Sequence, residues 1–168
     1  MNLPVATNVH DISSALYTTA ISTWIRETAA IIPTVQSIHI ITVAVVVGSA
    51  LVTDLRLAGV LATDETPQTV VRRYLPWMWA AIAVLLATGA ILVVGEPNRV
   101  LANPVFWTKM VLVLFGFGLT LLFRYPILHP EFRLEHARWA ALTKPTAWVS
   151  LLVWIAVIFC GRWIAYAI

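Results

Sequence analysis

Three ionisable residues lie inside long hydrophobic stretches of this sequence: His39, Lys109 and Arg162. An ionisable side chain at the centre of a bilayer costs roughly 2.5–3.5 kcal/mol on insertion scales, so such a residue usually faces a bundle interior or a ligand. One imidazole and two cations suit an anionic or polarisable ligand. The sequence therefore predicts a polar pocket built around these three residues.

Helical spacing adds further polar residues to this predicted pocket. Gln36 and Thr42 stand three residues before and after His39, which places all three on one helix face. Tyr166 follows Arg162 by one helical turn. The candidate cofactor-binding residues are His39, Lys109, Arg162, Gln36, Thr42 and Tyr166.

Haem b and a quinone are the two redox cofactors that this residue set favours. For haem b, His39 would ligate the iron, and Lys109 and Arg162 would neutralise the propionates. The other histidines are predicted outside this part of the bundle, so a second axial histidine is not supported: His10, His129 and His136. For a quinone, His39 would hydrogen-bond a carbonyl oxygen.

Copper and a purely structural role are the competing interpretations of the same residues. Cu(I) prefers soft ligands, and His39, Met110 and Cys160 lie at similar depth. Cys160 and Arg162 are two residues apart, however, and therefore point to nearly opposite helix faces. In the structural interpretation, Lys109 and Arg162 extend to lipid headgroups, and Gln36 or a backbone carbonyl satisfies His39.

The composition identifies the class of protein that must position these residues. Of 168 residues, 60% are hydrophobic and 11% are charged, whereas a soluble domain has about 25% charged residues. A soluble enzyme, a disordered chain and a disulfide-rich scaffold are thereby excluded, the last because Cys160 is the only cysteine. The basic residues flank hydrophobic runs instead of forming a patch for nucleic acid.

Four stretches are long enough to cross a bilayer, at about 31–53, 76–95, 105–123 and 147–168, and each must be helical to satisfy its own backbone. Residues 11–28 show apolar side chains at three- and four-residue steps, which predicts an amphipathic helix in the membrane interface or a short helix packed on the bundle. We therefore predict one transmembrane domain, 1–168. Its fold class is an all-α integral membrane four-helix bundle with an N-terminal amphipathic interfacial helix.

Lysine and arginine are distributed unevenly between the two sides of the predicted bundle. Cytoplasmic loops carry the excess of such residues, which predicts an inner-membrane, multi-pass protein with both termini in the periplasm. The basic residues of the two long loops are Arg56, Arg72, Arg73, Arg124, Arg133, Arg138 and Lys144, against Arg26 and Arg99 on the other side.

The first long loop predicts a second polar cluster at the inner face. Asp54 and Arg56 close the first span and Arg72 and Arg73 precede the second, so we expect a salt-bridged corner there. Every Asp and Glu is predicted to lie in a loop or the N-terminal segment. No nucleophile elbow, metalloprotease motif, P-loop or dinucleotide fingerprint is present in the sequence, which favours a non-catalytic protein.

Several short motifs carry a family resemblance from Trp24 to the C-terminus. They are Ile25-Arg26, Pro33, Ile38-His39-Ile40, Gly48-Ser49, Asp54-Leu55-Arg56-Leu57-Ala58-Gly59, Thr88-Gly89, Asn103-Pro104, Phe106, Lys109 and Gly161-Arg162-Trp163-Ile164-Ala165-Tyr166. On these motifs the chain resembles an uncharacterised family of small bacterial four-span membrane proteins, a resemblance that implies no established activity. The architecture is also similar at fold level to copper-resistance D and cytochrome b561-like proteins, which implies haem or copper.

These observations lead to one expected function and two alternatives. We expect a membrane subunit that holds haem b or a quinone in an outer-leaflet pocket. It would exchange electrons with a periplasmic partner or anchor one. The alternatives are a copper-handling or small-solute permease, and a structural accessory subunit of a larger membrane complex. The expected partners are the lipid bilayer and other redox subunits, with no nucleic acid.

Overall fold

The computed structural model describes residues 4–124, 126–128, 137–164 and 166, and every regular element in this part of the chain is helical. The elements are α1 (Pro4–Tyr17), α2 (Ala20–Glu27), α3 (Ile31–Ala58), α4 (Pro67–Gly95), α5 (Pro97–Leu101), α6 (Pro104–Leu119), a π-helical turn (Thr120–Arg124), a 3-10 turn (Pro126–Leu128) and α7 (Ala137–Trp163).

Four of these helices are long and apolar enough to cross a membrane. Their spanning segments are Ile31–Ala58, Pro67–Gly95, Pro104–Arg124 and Ala141–Trp163. The prediction of an all-α protein with four long apolar helices is confirmed, and the helices suggest a multi-pass membrane protein. Large apolar side chains such as Leu86 and Leu114 are 69% and 70% exposed, as expected for surfaces that face lipid.

The long helices form two antiparallel hairpins. α3 packs along α4, α6 packs along α7, and contacts between α3 and α7 join the hairpins. Gly116 allows α6 to approach α7 closely, because a Cβ atom there would lie 3.3–3.4 Å from Val153 and Trp154. The main buried cluster is Val46, Ala50, Met78, Ala81, Trp154 and Val157.

The first hairpin extends further towards its connecting loop than the predicted spans. α3 continues to Ala58, where Gly59 ends it with φ of 80° and its N–H bonds to the Arg56 carbonyl. α4 already begins at Pro67, since the Thr66 side chain accepts a hydrogen bond from the Thr69 N–H. Pro76 therefore lies in the interior of α4 instead of its first turn.

The N-terminal segment forms two helices where the sequence predicted one over 11–28. The break falls at Thr18 and Thr19, and the Thr19 side chain caps α2 by accepting from the Ser22 N–H. α1 packs on α5, and α2 packs on α4. Gly95 permits this packing, because a Cβ atom there would lie 3.0 Å from Ile25 Cγ2. Ile21 and Trp24 of α2 remain exposed.

The last helix also differs from its predicted bounds. α7 is continuous from Ala137 to Trp163 and contains Pro145 in its interior. Tyr166 follows in a turn after the helix has ended.

A buried ion pair joins the two hairpins near the end that carries the loop 59–66. Arg124 Nη2 lies 2.6 Å from Asp54 Oδ1, and both side chains are 2% exposed. The prediction that every carboxylate lies outside the spans is therefore wrong for Asp54. The salt-bridged corner predicted at the first long loop uses Glu65 instead of Asp54. Arg73 pairs with the Glu65 carboxylate at 2.9 Å, and Arg56 donates to the Glu65 backbone carbonyl. Asp54 can lie on α3 inside the bundle because the Arg124 guanidinium neutralises its negative charge.

Arg124 has further partners on three elements. It donates to Met78 Sδ on α4 at 3.1 Å, to Thr120 Oγ1 in its own turn at 3.4 Å and to Ser150 Oγ on α7 at 3.2 Å. Arg124 itself stands at the end of the span that begins with α6, and its partners lie on α3, α4 and α7. One guanidinium thus connects all four long helices. The planar fork of five donors makes arginine suited to such a position.

We predict that removing one member of this pair is more damaging than removing both. Arg124→Leu should lower the free energy of unfolding by about 3–5 kcal/mol, because it leaves a buried, uncompensated carboxylate. The Asp54→Leu/Arg124→Leu double variant should recover most of this loss. Chemical denaturation in detergent micelles measures the double-mutant cycle.

The matched control is Glu65→Gln, which breaks the exposed Arg73–Glu65 pair and should leave the melting temperature unchanged, since exposed pairs contribute little. Equal destabilisation by the single Arg124→Leu and the double variant would contradict the assigned role of the buried pair.

Candidate functional site

His39 lies on α3 with its ring turned towards α4. His39 Nδ1 is 2.8 Å from the Thr88 hydroxyl oxygen. The neighbouring Gly89 lies next to the ring, because a Cβ atom at Gly89 would be in ordinary van der Waals contact with His39 Cε1, at 3.7 Å. The side chain is half-buried, while Thr88 is buried. Thr88 and Gly89 are therefore the residues of α4 that lie against the imidazole.

The hydrogen-bond network assigns the tautomer of His39. Thr88 Oγ1 donates its only hydrogen to a backbone carbonyl one turn earlier, with Val84 at 2.8 Å. It must then accept from His39, so the hydrogen of the imidazole is on Nδ1. Nε2 keeps its lone pair, which makes it available as a hydrogen-bond acceptor or a metal ligand.

Lys109 brings a positive charge to the same region. Its ammonium nitrogen lies 3.7 Å from where a Cβ atom at Gly161 would stand, so α6 and α7 are close here. The side chain is half-buried and interacts electrostatically with His39 and with Cys160. The site therefore draws on all four long helices: His39 from α3, Thr88 from α4, Lys109 from α6 and Gly161 from α7.

The other four predicted pocket residues are Gln36, Thr42, Arg162 and Tyr166. Gln36 is exposed. Thr42 is buried and donates to the Ile38 carbonyl of its own helix at 2.7 Å. Arg162 is exposed, hydrogen-bonds the Tyr166 hydroxyl and lies 4.8 Å from the centre of that ring. Lys109 thus lies within electrostatic range of His39, and Arg162 pairs with Tyr166.

The predicted copper ligands Met110 and Cys160 are both partly exposed, and Cys160 is a free thiol beside the Lys109 ammonium. Within the described part of the chain, no three His, Cys, Asp or Glu side chains form a group that could hold a metal ion. A positively charged neighbour is also unfavourable for a cation at Cys160.

Comparison with known proteins gives one match. A model of a family of unknown function, DUF6644, matches residues 15–167. The chain belongs to this family. No curated protein and no solved structure matches significantly, so nothing supports the fold-level similarity to copper-resistance D or cytochrome b561-like proteins. The DUF6644 match covers both the His39 site and the Asp54–Arg124 pair.

Two hydrogen-bonding partners in this DUF6644 protein were not predicted from the sequence: Thr88, which bonds His39, and Ser150, which bonds Arg124. Thr88 was not a candidate, although a threonine beside a glycine within an apolar span is a detectable signal for a close polar contact. Ser150 of the Arg124 cluster was also missed. A single serine in a span has no sequence feature that identifies its partner, because the partner lies on another helix.

We predict that Thr88→Val changes the tautomer population of His39. In the wild-type protein Nδ1 carries the hydrogen because Thr88 accepts it; valine has similar shape and cannot accept. Nitrogen-15 NMR of histidine-labelled protein should show a single protonated Nδ1 for His39 and a mixed signal in the variant.

The matched control is Thr108→Val, which removes an exposed hydroxyl that bonds its own helix. It should leave the His39 signals unchanged. A His39 spectrum that is the same in wild type and Thr88→Val would contradict the assigned hydrogen bond.

Proposed function

We propose that this protein is a membrane subunit that binds the headgroup of a quinone or quinol at His39. The observation that carries the proposal is the His39–Thr88 hydrogen bond, since it fixes the imidazole with Nε2 free. A fixed imidazole with one free nitrogen can accept a hydrogen bond from a quinol hydroxyl. A quinone carbonyl needs a hydrogen-bond donor, which the Lys109 ammonium can supply.

Lys109 supplies the electrostatic part of the proposed site. Its ammonium interacts with His39 from the opposite hairpin. A positive charge beside the ligand offsets negative charge on a ligand oxygen, and this effect is stronger in a low-dielectric environment than in water. His39 and Lys109 would therefore bind the same oxygen-rich headgroup from two sides.

The surroundings of His39 favour a ligand that is soluble in the bilayer. The imidazole is half-exposed, and the adjacent Ile40 is 68% exposed on an apolar surface. In this proposal the ligand approaches the imidazole from the hydrocarbon. A quinone has the required combination of a polar headgroup and an apolar tail.

Haem b is the second cofactor that the free Nε2 could accept, with His39 as an iron ligand. Its two propionates call for two nearby cations, whereas Arg162 is directed to Tyr166 and one cation stands beside His39. The geometry therefore favours a quinone. A visible absorption spectrum separates the two cofactors.

The proposed subunit works with a partner. Oxidation of a bound quinol releases two electrons and two protons. The hydroxyl bound at His39 Nε2 and the second hydroxyl would each release a proton to water at the outer surface, and the two electrons would pass one at a time to a one-electron carrier held by a partner subunit. The site is near the outer end of the bundle, with Lys109 about 8 Å along α6 from Pro104 at 1.5 Å per residue.

We predict that the protein purified in mild detergent contains extractable quinone and that His39→Ala loses it. Removing the imidazole should weaken binding at least tenfold, which corresponds to about 1.4 kcal/mol. Lys109→Met should weaken it as well, because it removes the charge and keeps much of the length. Solvent extraction followed by chromatography measures the quinone content.

The control is His10→Ala, which removes an exposed histidine of α1 and should leave the quinone content unchanged. Purified protein without quinone that also fails to bind an added short-chain quinone would refute the proposal. A Soret band lost in His39→Ala would assign haem, retained copper would favour a copper permease, and protein without either would favour a structural subunit.

The proposed orientation, with both termini in the periplasm, gives a prediction for the loop 59–66. In a Cys160→Ser background, Asp64→Cys should react with a membrane-impermeant maleimide only after the inner membrane is opened, because the basic residues of this side hold it in the cytoplasm. Asp11→Cys should react in intact spheroplasts. The reverse pattern would overturn the orientation.

A further inference from the structure

The two carboxylate oxygens of Asp54 have different surroundings. Oδ1 lies 2.6 Å from Arg124 Nη2, and the Ser150 hydroxyl also interacts with the carboxylate. Oδ2 is fully buried and has no partner with hydrogen-bond geometry among the described residues. Leaving a buried charged acceptor unsatisfied is more unfavourable than leaving a neutral one unsatisfied.

A small cavity lies beside this carboxylate. The volume accessible to the centre of a water molecule is about 10 Å³, which is close to the minimum that one water requires. Hydroxyl groups contribute to its wall. The lining residues are Asp54, Leu57, Leu119, Phe123, Arg124, Thr143, Thr146, Ala147 and Ser150.

Charge decides which ligand suits the cavity. Asp54 and Arg124 are a neutral pair, so an added cation or anion would leave a net charge buried in the bundle. A sodium ion would also stand beside the guanidinium, and a chloride ion beside the carboxylate. The free oxygen needs a hydrogen-bond donor, and a neutral donor of this size is water.

Thr146 provides a second partner for such a molecule. Its hydroxyl donates to the Leu142 carbonyl at 2.6 Å, so its oxygen is available as an acceptor on the cavity wall. A molecule with two hydrogens can therefore donate to Asp54 Oδ2 and to Thr146 Oγ1. Two polar partners meet the requirement for an ordered buried water.

We propose that this cavity is a binding site for a single water molecule, which completes the hydrogen bonding of Asp54 and links α3 to α7. The water supplies the donor that Arg124 cannot supply, because the guanidinium is shared among Asp54, Met78, Thr120 and Ser150. It thereby keeps Asp54 ionised without changing the charge of the site. This site is independent of the proposed quinone site.

The aspartate content of the chain makes the proposal measurable. The sequence has three aspartates, Asp11, Asp54 and Asp64, and the first and last are exposed. Protein labelled with carbon-13 at the aspartate carboxyl carbon should give three signals in solid-state NMR of lipid-embedded samples. Asp54→Asn identifies the buried one. We expect this signal to be a carboxylate that receives magnetisation from a bound water proton.

Two variants test the cavity itself. Ala147→Val fills it and should abolish the water contact of Asp54, whereas Ala141→Val adds the same volume at an exposed position of α7 and should not. Thr146→Val keeps the shape, removes the acceptor and should weaken the contact at least twofold. This variant tests the site even if Ala147→Val does not fold.

Three results would overturn the proposal. They are an Asp54 signal without water contact in the wild-type protein, a protonated Asp54 carboxyl, and a shift of its signal when sodium or chloride is exchanged for a larger ion. The last result would assign the cavity to an ion.

Discussion

The Asp54–Arg124 pair is the constraint on which the arrangement of the long helices depends. Each charge alone would be several kcal/mol less stable in the bundle than in water, so the two residues must meet and must be hydrogen-bonded. Arg124 can meet Asp54 only if the end of the third span reaches α3, and its bonds to Met78 and Ser150 add α4 and α7. In a bilayer an apolar side chain is equally well surrounded by lipid tails or by another helix, because lipid tails are as apolar as leucine. Apolar burial therefore does not select this arrangement of the helices over others.

The proposed quinone site occupies the other end of the same bundle and is built in a similar way. His39 and Asp54 stand on one helix, about 22 Å apart along its axis at 1.5 Å per residue. Small residues lie beside both groups: Gly89 beside the imidazole and Gly161 beside the ammonium. A site formed by one residue from each rigid helix keeps its geometry better than a site on loops. It also remains open to the bilayer, from which an apolar ligand arrives.

Prediction from the sequence succeeded where a single helix carries the information. The four apolar helices and the absence of strands in the described residues required only length and hydropathy. It failed where partners lie on different helices. Asp54 was placed in a loop because its neutralising arginine is far away in sequence.

The sequence by itself determined the class of this protein, the DUF6644 membership and the identity of the few polar residues inside the spans, because an apolar environment admits polar groups only at a high cost. The tertiary structure decided which of these groups are partners. Charge and hydrogen-bonding capacity are properties of single residues, whereas the distance between Asp54 and Arg124, or between His39 and Thr88, exists only after the helices have packed. Because the spans contain few polar residues, each of these two pairings has a large effect on which helices lie next to each other.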